Sequence, residues 1–263
     1  MTLSALLYGS IVGLSLGLTG GGGSIFAVPL LVYGLGLEFS KATALSLGIV
    51  AATALFGAVL HRGQGHVLWS HGIALGAGGL VGLPVGALVA GSLSERTSLV
   101  LFSCLMVFIG VRMLLPDKSR RGKEQGVTQS GASNASPSLR LKGAVALGVA
   151  GVVTGVLSGL FGVGGGFLLT PALLVVSRTE IHQAMATSLV SIVIIASFGF
   201  FSAATRLSGI SPAVPSLFLI GSLVGMVCGI LLKRRFSPRT LQMVFGTSVI
   251  ATAIFVVVRS LWT

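Results

Sequence analysis

Four consecutive glycines, Gly20, Gly21, Gly22 and Gly23, run into Ser24 in the stretch GLTGGGGSIFAVP, and GLFGVGGGFLLTP repeats the pattern at Gly162, Gly164, Gly165 and Gly166. A glycine run lets the backbone curl into a concave nest of N–H groups and lets a ligand come close. A helix that begins just after the run adds unpaired N–H donors and the positive end of its dipole. Such a combination suits an anion. The helix starts at Ser24–Ile25 and Gly166–Phe167 are therefore two candidate anion cradles, and Thr19, Ser24, Ser46, Thr187 and Ser188 are hydroxyls placed to add donors. Close packing of backbones, the common role of glycine in membrane helices, is the competing reading of both clusters and the preferred one for Gly82, Gly86, Gly225 and Gly229.

Other chemistries find less support. No Lys-Ser/Thr pair follows either cluster as in a P-loop, and the strand and downstream acid of a dinucleotide fold are missing. Lys41, His61 and Arg62 are candidates for gating or coupling. Against this, Lys41 reads more readily as an interfacial lysine that snorkels to headgroups, and His61, Arg62 and His66 as a topological anchor. Glu38 and Glu180 stand at helix starts, where capping competes with proton coupling. His182 and Arg206 read as interfacial. Neither a paired-acid site nor an HExxH or Ser–His–Asp constellation occurs, so no catalytic residue is assigned and an enzyme is not expected. Cys104 and Cys228 lie in apolar segments without a CxxC partner, which predicts free thiols buried as small hydrophobes. No metal site and no cofactor are expected.

Composition decides where the glycine clusters act. The chain has 263 residues, 53% hydrophobic and 8% charged, against about 25% charged for a soluble domain. Its mean hydropathy is +1.02. Runs such as Ile220–Leu232 and Leu241–Val258 are apolar nearly all round, as helices in lipid are. The fold class expected is all-α, a polytopic helical membrane protein. A net charge of +12 is explained by basic residues in loops beside apolar spans. No nucleic-acid-binding motif accompanies them, so nucleic acid is not an expected partner. The N-terminal MTLSALLY lacks a basic n-region and a cleavage motif and reads as a retained membrane segment.

One segment breaks the apolar pattern. Residues 116–140 are polar and rich in Ser, Gly and Lys/Arg, a flexible basic linker between a first transmembrane repeat, 1–115, and a second, 141–263. A shift of 142 lays Gly13, Gly17, Gly20, Pro29, Glu38, Ser46 and Phe56 on Gly155, Gly159, Gly162, Pro171, Glu180, Ser188 and Phe198. A shift of 143 then lays Gly78, Gly82, Gly86 and Arg96 on Gly221, Gly225, Gly229 and Arg239. The chain is a tandem duplication. Helices are predicted over 3–18, 24–36, 40–61, 70–91 and 95–115, and over 141–161, 166–177, 181–204, 213–232 and 237–260. Segments 24–36 and 166–177 are too short to span a bilayer. Placing the linker and Lys233–Arg235 both on the cytoplasmic side predicts opposite orientations for the halves, hence inverted-topology repeats with broken or re-entrant glycine-rich helices.

These motifs resemble the sulfite exporter TauE/SafE family. GLTGGGGSIFAVP followed by ATALS (Ala42 to Ser46), and GLFGVGGGFLLTP followed by AMATS (Ala184 to Ser188), carry the resemblance, which extends over the chain apart from the linker. The family implies a multi-pass transporter of small, often sulfur-containing anions such as sulfite or sulfoacetate, here expected in a bacterial inner membrane. Leu45 stands where the second copy has Thr187, so a threonine ligand would come from the second half only. The expected partners are a small anion and the lipid bilayer, with a homo-oligomer left open. A non-transporting assembly protein and a passive anion channel are the alternatives.

Overall fold

The apolar runs fold as helices because each backbone N–H and C=O in hydrocarbon must be satisfied within its own segment. In a computed structural model the described residues are 2–21, 23–62, 67–114, 137–166, 169–170, 173, 181–207, 211–233 and 238–262. They are almost entirely helical, and no strand occurs among them. The long helices are α1 (Thr2–Thr19), α3 (Phe39–Arg62), α4 (Trp69–Ser92), α5 (Glu95–Leu114), α6 (Pro137–Phe161), α7 (Ile181–Ala203), α8 (Ala213–Lys233) and α9 (Pro238–Trp262). Between α1 and α3 lies the short α2 (Ser24–Pro29). The expected boundaries agree within a few residues, except that α6 begins at Pro137, inside the segment read as linker. Most of that linker, and of the expected helix 166–177, lies outside the described residues.

Pro29 explains the shape of the first short segment. It lacks an N–H and its ring crowds the preceding turn. The chain responds by widening into a π-turn over Leu30–Gly34, a local insertion typical of functional sites. Gly36 then takes a left-handed φ of 69°, and the Leu37 N–H reaches back to the Leu31 carbonyl at 3.1 Å, closing the segment.

Helices α3 and α7 pack against each other at the centre, and 61% of the most apolar stretch of each is buried, against 33% for α4 and α8. On either side stands a pair formed across the halves: α1 on α8, and α6 on α4. Both pairs are glycine zippers. Gly9, Gly13 and Gly17 of α1 press on the carbonyls of Phe218, Ser222 and Met226, while Gly221, Gly225 and Gly229 press on Leu6, Ser10 and Leu14. Gly151, Gly155 and Gly159 of α6 meet Leu75, Gly79 and Leu83, and Gly78, Gly82 and Gly86 of α4 meet Gly148, Val152 and Val156. Every contact of one zipper maps on the other through the sequence repeat. Backbones come this close only because neither face carries a side chain, which is how helices without a hydrophobic drive between them associate in lipid. The packing role expected for Gly82, Gly86, Gly225 and Gly229 is thus what the structure shows. A fourth pair, α5 on α9, completes the bundle.

Among the described residues, four helices are long and apolar enough to cross a membrane: Phe39–His61, Trp69–Ser92, Gln183–Leu207 and Ala213–Leu232. Exposed Leu55, Val59, Val81, Leu88, Phe108, Phe201 and Leu231 give the bundle an apolar exterior. Cys104 and Cys228 are free but exposed on that exterior. The expectation of burial within the protein fails because in lipid an apolar sequence does not say which face turns inward.

Candidate functional site

The two glycine clusters interrupt the chain where α1 and α6 end. Gly20 has φ 75° and Gly162 has φ 67°, left-handed values that an L side chain resists. Space forbids one as well. A Cβ at Gly20 would lie 2.5 Å from Met185 Cβ, and one at Gly162 would collide with Thr43, the equivalent residue of the other half. Gly164 and Gly165 are also left-handed, with φ of 69° and 66°. Gly23 is the cap residue just before α2, and Gly22 lies outside the described residues.

The breaks cross at the middle of the molecule. A Cβ on Gly166 would fall 2.7 Å from the Gly21 carbonyl oxygen, so the two interrupted backbones abut and leave no gap between them. Each break is held by a serine from the other half. Ser188 Oγ donates to the Gly20 carbonyl at 2.9 Å, and Ser46 Oγ, its repeat equivalent, bonds the Gly162 carbonyl. Both serines are fully buried. An interrupted helix leaves carbonyls without partners, and an unpaired carbonyl in hydrocarbon is costly. The exchanged serines remove that cost, and they tie each break to the central helix of the opposite half.

The other hydroxyls named from sequence are similarly engaged. Thr19 donates to the Ser15 carbonyl at 2.7 Å and Ser24 to Gly21 at 2.9 Å. Ser188 also accepts from Thr170 at 3.1 Å. Thr187 lies elsewhere in role: its Oγ1 accepts the Leu68 N–H at 3.0 Å, and Ser191, one turn on, donates to the Gly72 carbonyl at 2.8 Å. Together they fasten the start of α4 to α7. The first half carries Leu45 and Ile49 at the repeat positions and has no such fastening.

The charged candidates sit apart from the breaks. Lys41 Nζ is 3.6 Å from Glu38 and both side chains are well exposed, an ion pair at the start of α3. The Ala42 N–H bonds the Glu38 carbonyl, placing Glu38 at the cap of that helix. His61 donates from Nδ1 to the Gly57 carbonyl at 2.8 Å near the far end of α3. The side chain of Arg62 lies outside the described set, as do Glu180, His66 and the side chain of His182. Arg206 is exposed. Among the described residues the fully buried polar groups are all serine and threonine hydroxyls, with no charged group, and no metal-ligating cluster occurs. An outer crevice of about 400 Å³, lined by Tyr8, Pro29, Tyr33, Thr252 and Phe255, holds none of the candidate site residues named from sequence.

Two polar residues beside the second break were not picked out from sequence. Thr154 and Ser158 occupy the repeat positions of Val12 and Leu16, and both are buried. The departure from the repeat was the signal. A duplication that keeps its glycines but replaces two apolar residues by hydroxyls marks a place where the halves do different work.

An all-helical, apolar chain with membrane-length helices and an interrupted, hydroxyl-lined centre is an integral membrane protein of the transporter class. It belongs to the sulfite exporter TauE/SafE family, whose model matches residues 5–256. A "Probable membrane transporter protein" of Xylella fastidiosa (strain 9a5c) is 34% identical over 99% of this chain and 98% of its own. The "Probable membrane transporter protein YdhB" of Bacillus subtilis (strain 168) is 27% identical over 92% and 93%. One from Haemophilus influenzae is 28% identical over 76% and 72%. No solved structure matches the chain.

Proposed function

We propose that this protein exports a small sulfur-containing anion, sulfite or an organosulfonate such as sulfoacetate, by alternating access across a bacterial inner membrane. The crossed breaks carry the reading. Each is fastened by Ser46 or Ser188 of the opposite half, so a displacement of one half must move the other half's break. Rocking of two repeated units about a midplane site made of interrupted helices is how many secondary transporters work. The site itself is backbone and hydroxyl, a neutral donor set suited to an oxyanion. The segment Ser24–Gly34, at about 1.5 Å per residue, reaches about half the bilayer core. It therefore serves as a re-entrant half-helix, and the repeats stand inverted, with the basic linker and Lys233–Arg235 on the cytoplasmic side.

Flux into proteoliposomes tests the reading directly. The reconstituted protein is expected to move sulfite or sulfoacetate faster than chloride, and saturably. A folded protein that moves none of sulfite, sulfoacetate, sulfate or chloride overturns it.

A further inference from the structure

The two breaks share a left-handed first glycine, Gly20 and Gly162, but Gly23 is right-handed at φ −62° where Gly165 is left-handed at φ 66°, and their walls differ. In the first half, Gly23 is clamped against α1: a Cβ there would lie 2.5 Å from the Val12 carbonyl oxygen and 2.8 Å from Leu16 Cα. In the second half a Cβ on the corresponding Gly165 would lie 3.0 Å from the Thr154 carbonyl oxygen and 3.6 Å from Ser158 Cβ, and one on Gly164 would lie 3.1 Å from Val50. The wall of the second break is therefore polar, with Thr154 and Ser158, where that of the first is apolar, with Val12 and Leu16.

Ser158 is the residue that does not fit a purely structural account. It is fully buried, and among the described residues its Oγ is the one buried side-chain nitrogen or oxygen without a hydrogen-bond partner. Elsewhere in this bundle helical hydroxyls turn back on a carbonyl of the preceding turn, as Ser10, Thr53, Ser103 and Thr154 do. A buried hydroxyl left unmade costs stability and calls for an explanation.

The neighbourhood specifies which kind of partner is missing. The carbonyls at the end of α6 are already used: Ser158 O accepts the Gly162 N–H at 2.8 Å, and Gly162 O accepts from Ser46. Gly165 O accepts the Leu169 N–H at 3.3 Å. With these carbonyls each holding a donor and the Ser158 hydroxyl proton unspent, an acceptor-rich anion is the partner that fits.

We propose that Ser158, with the backbone of Gly164–Gly165, is a binding contact for the carried oxyanion, and that the chain has one ligand pocket, at the second break, instead of two equal ones. Thr154, whose hydroxyl is bonded to Ala150 and Gly151, shapes its wall. The inference rests on the transport reading above. Because Ser158 is enclosed in this conformation, the pocket must open to load.

Single-cysteine proteins test it, with Cys104 and Cys228 replaced by alanine and sulfoacetate, which does not react with thiosulfonates or disulfides, as the probe. Ser158→Cys in membranes is expected to react with a small anionic methanethiosulfonate and to be protected by sulfoacetate, while Leu16→Cys stays unreactive. Equal reactivity of the two, no reaction at Ser158→Cys, or reaction that sulfoacetate does not slow would each overturn the proposal, the last leaving only a water-filled crevice. Labelling with protection in a protein that shows no flux would uphold the pocket and defeat the transport reading. Ser158→Ala provides a check free of cysteine chemistry. It is expected to melt no lower than wild type, since it deletes only the orphan oxygen, and to lose about tenfold in apparent sulfite affinity by thermal shift. Unchanged affinity counts against Ser158.

Discussion

The glycine zippers and the glycine breaks respond differently to the same duplication. Along α1–α8 and α6–α4 each of the zipper glycines named above finds its equivalent carbonyl in the other half. At the breaks the backbone plan is kept only at its start, with Gly20 and Gly162 left-handed and Ser188 and Ser46 exchanged, while Gly165 is left-handed and Gly23 is not. The linings are not kept, with Val12 and Leu16 opposite Thr154 and Ser158. Packing tolerates no change on either copy, because a zipper glycine has no room for even a methyl group. A lining residue is constrained only by what it must touch, and there the copies diverge. In a duplicated membrane protein, departures from internal symmetry are the better guide to chemistry than the repeated motif itself.

The zippers give the largest test of that contrast. Gly13→Leu and Gly155→Leu should each cost about 3 kcal/mol or more, by overpacking a backbone contact, and both should abolish the monodisperse folded protein in detergent. A tolerated substitution on one side would show the zippers to be unequal. Next come Gly20→Ala and Gly162→Ala. The left-handed backbone alone costs about 1–2 kcal/mol, and collision with Met185 or Thr43 adds to it. Their melting temperatures should fall by similar amounts.

Ser46→Ala and Ser188→Ala sharpen the comparison. Each strands a buried carbonyl, at about 1–3 kcal/mol, so their stabilities should match. Their flux should not, because Ser46 braces the second break and Ser188 the first. Equal flux defects would return the two breaks to equivalence. Thr187→Val should cost about 1 kcal/mol, through the lost Leu68 hydrogen bond, and raise hydrogen exchange at the start of α4 alone. Smallest of all, Lys41→Met should leave thermal unfolding within error, since exposed ion pairs contribute little. A clear loss of flux in that variant would restore Lys41 as a coupling residue.

Much of the fold was legible in the residues. Apolar runs of bilayer length, the 142-residue shift and the glycine clusters placed the long helices almost to the residue. Which helix pairs with which was not legible, because a glycine stripe accepts any other glycine stripe and only the three-dimensional arrangement sends α1 to α8. The hydroxyls show a second limit. Thr19, Ser24, Ser46 and Ser188 have the chemistry of ligand donors, but broken helices create carbonyls that need the same protons, and sequence does not reveal which demand is met first. The outward-facing cysteines mark a third, since hydropathy measures preference for lipid or core without separating them.

The exchange of helices also sets a schedule for the ribosome. α1 is made first, but its partner surface at Phe218, Ser222 and Met226 emerges about 200 residues later, tens of seconds at about 5–20 residues per second. Through that interval the glycine face of α1 lacks its native partner, as does that of α4 until α6 is made. Until α8 arrives the nascent chain must park that face against lipid or a helper helix, so biogenesis of this protein is gated by its last quarter.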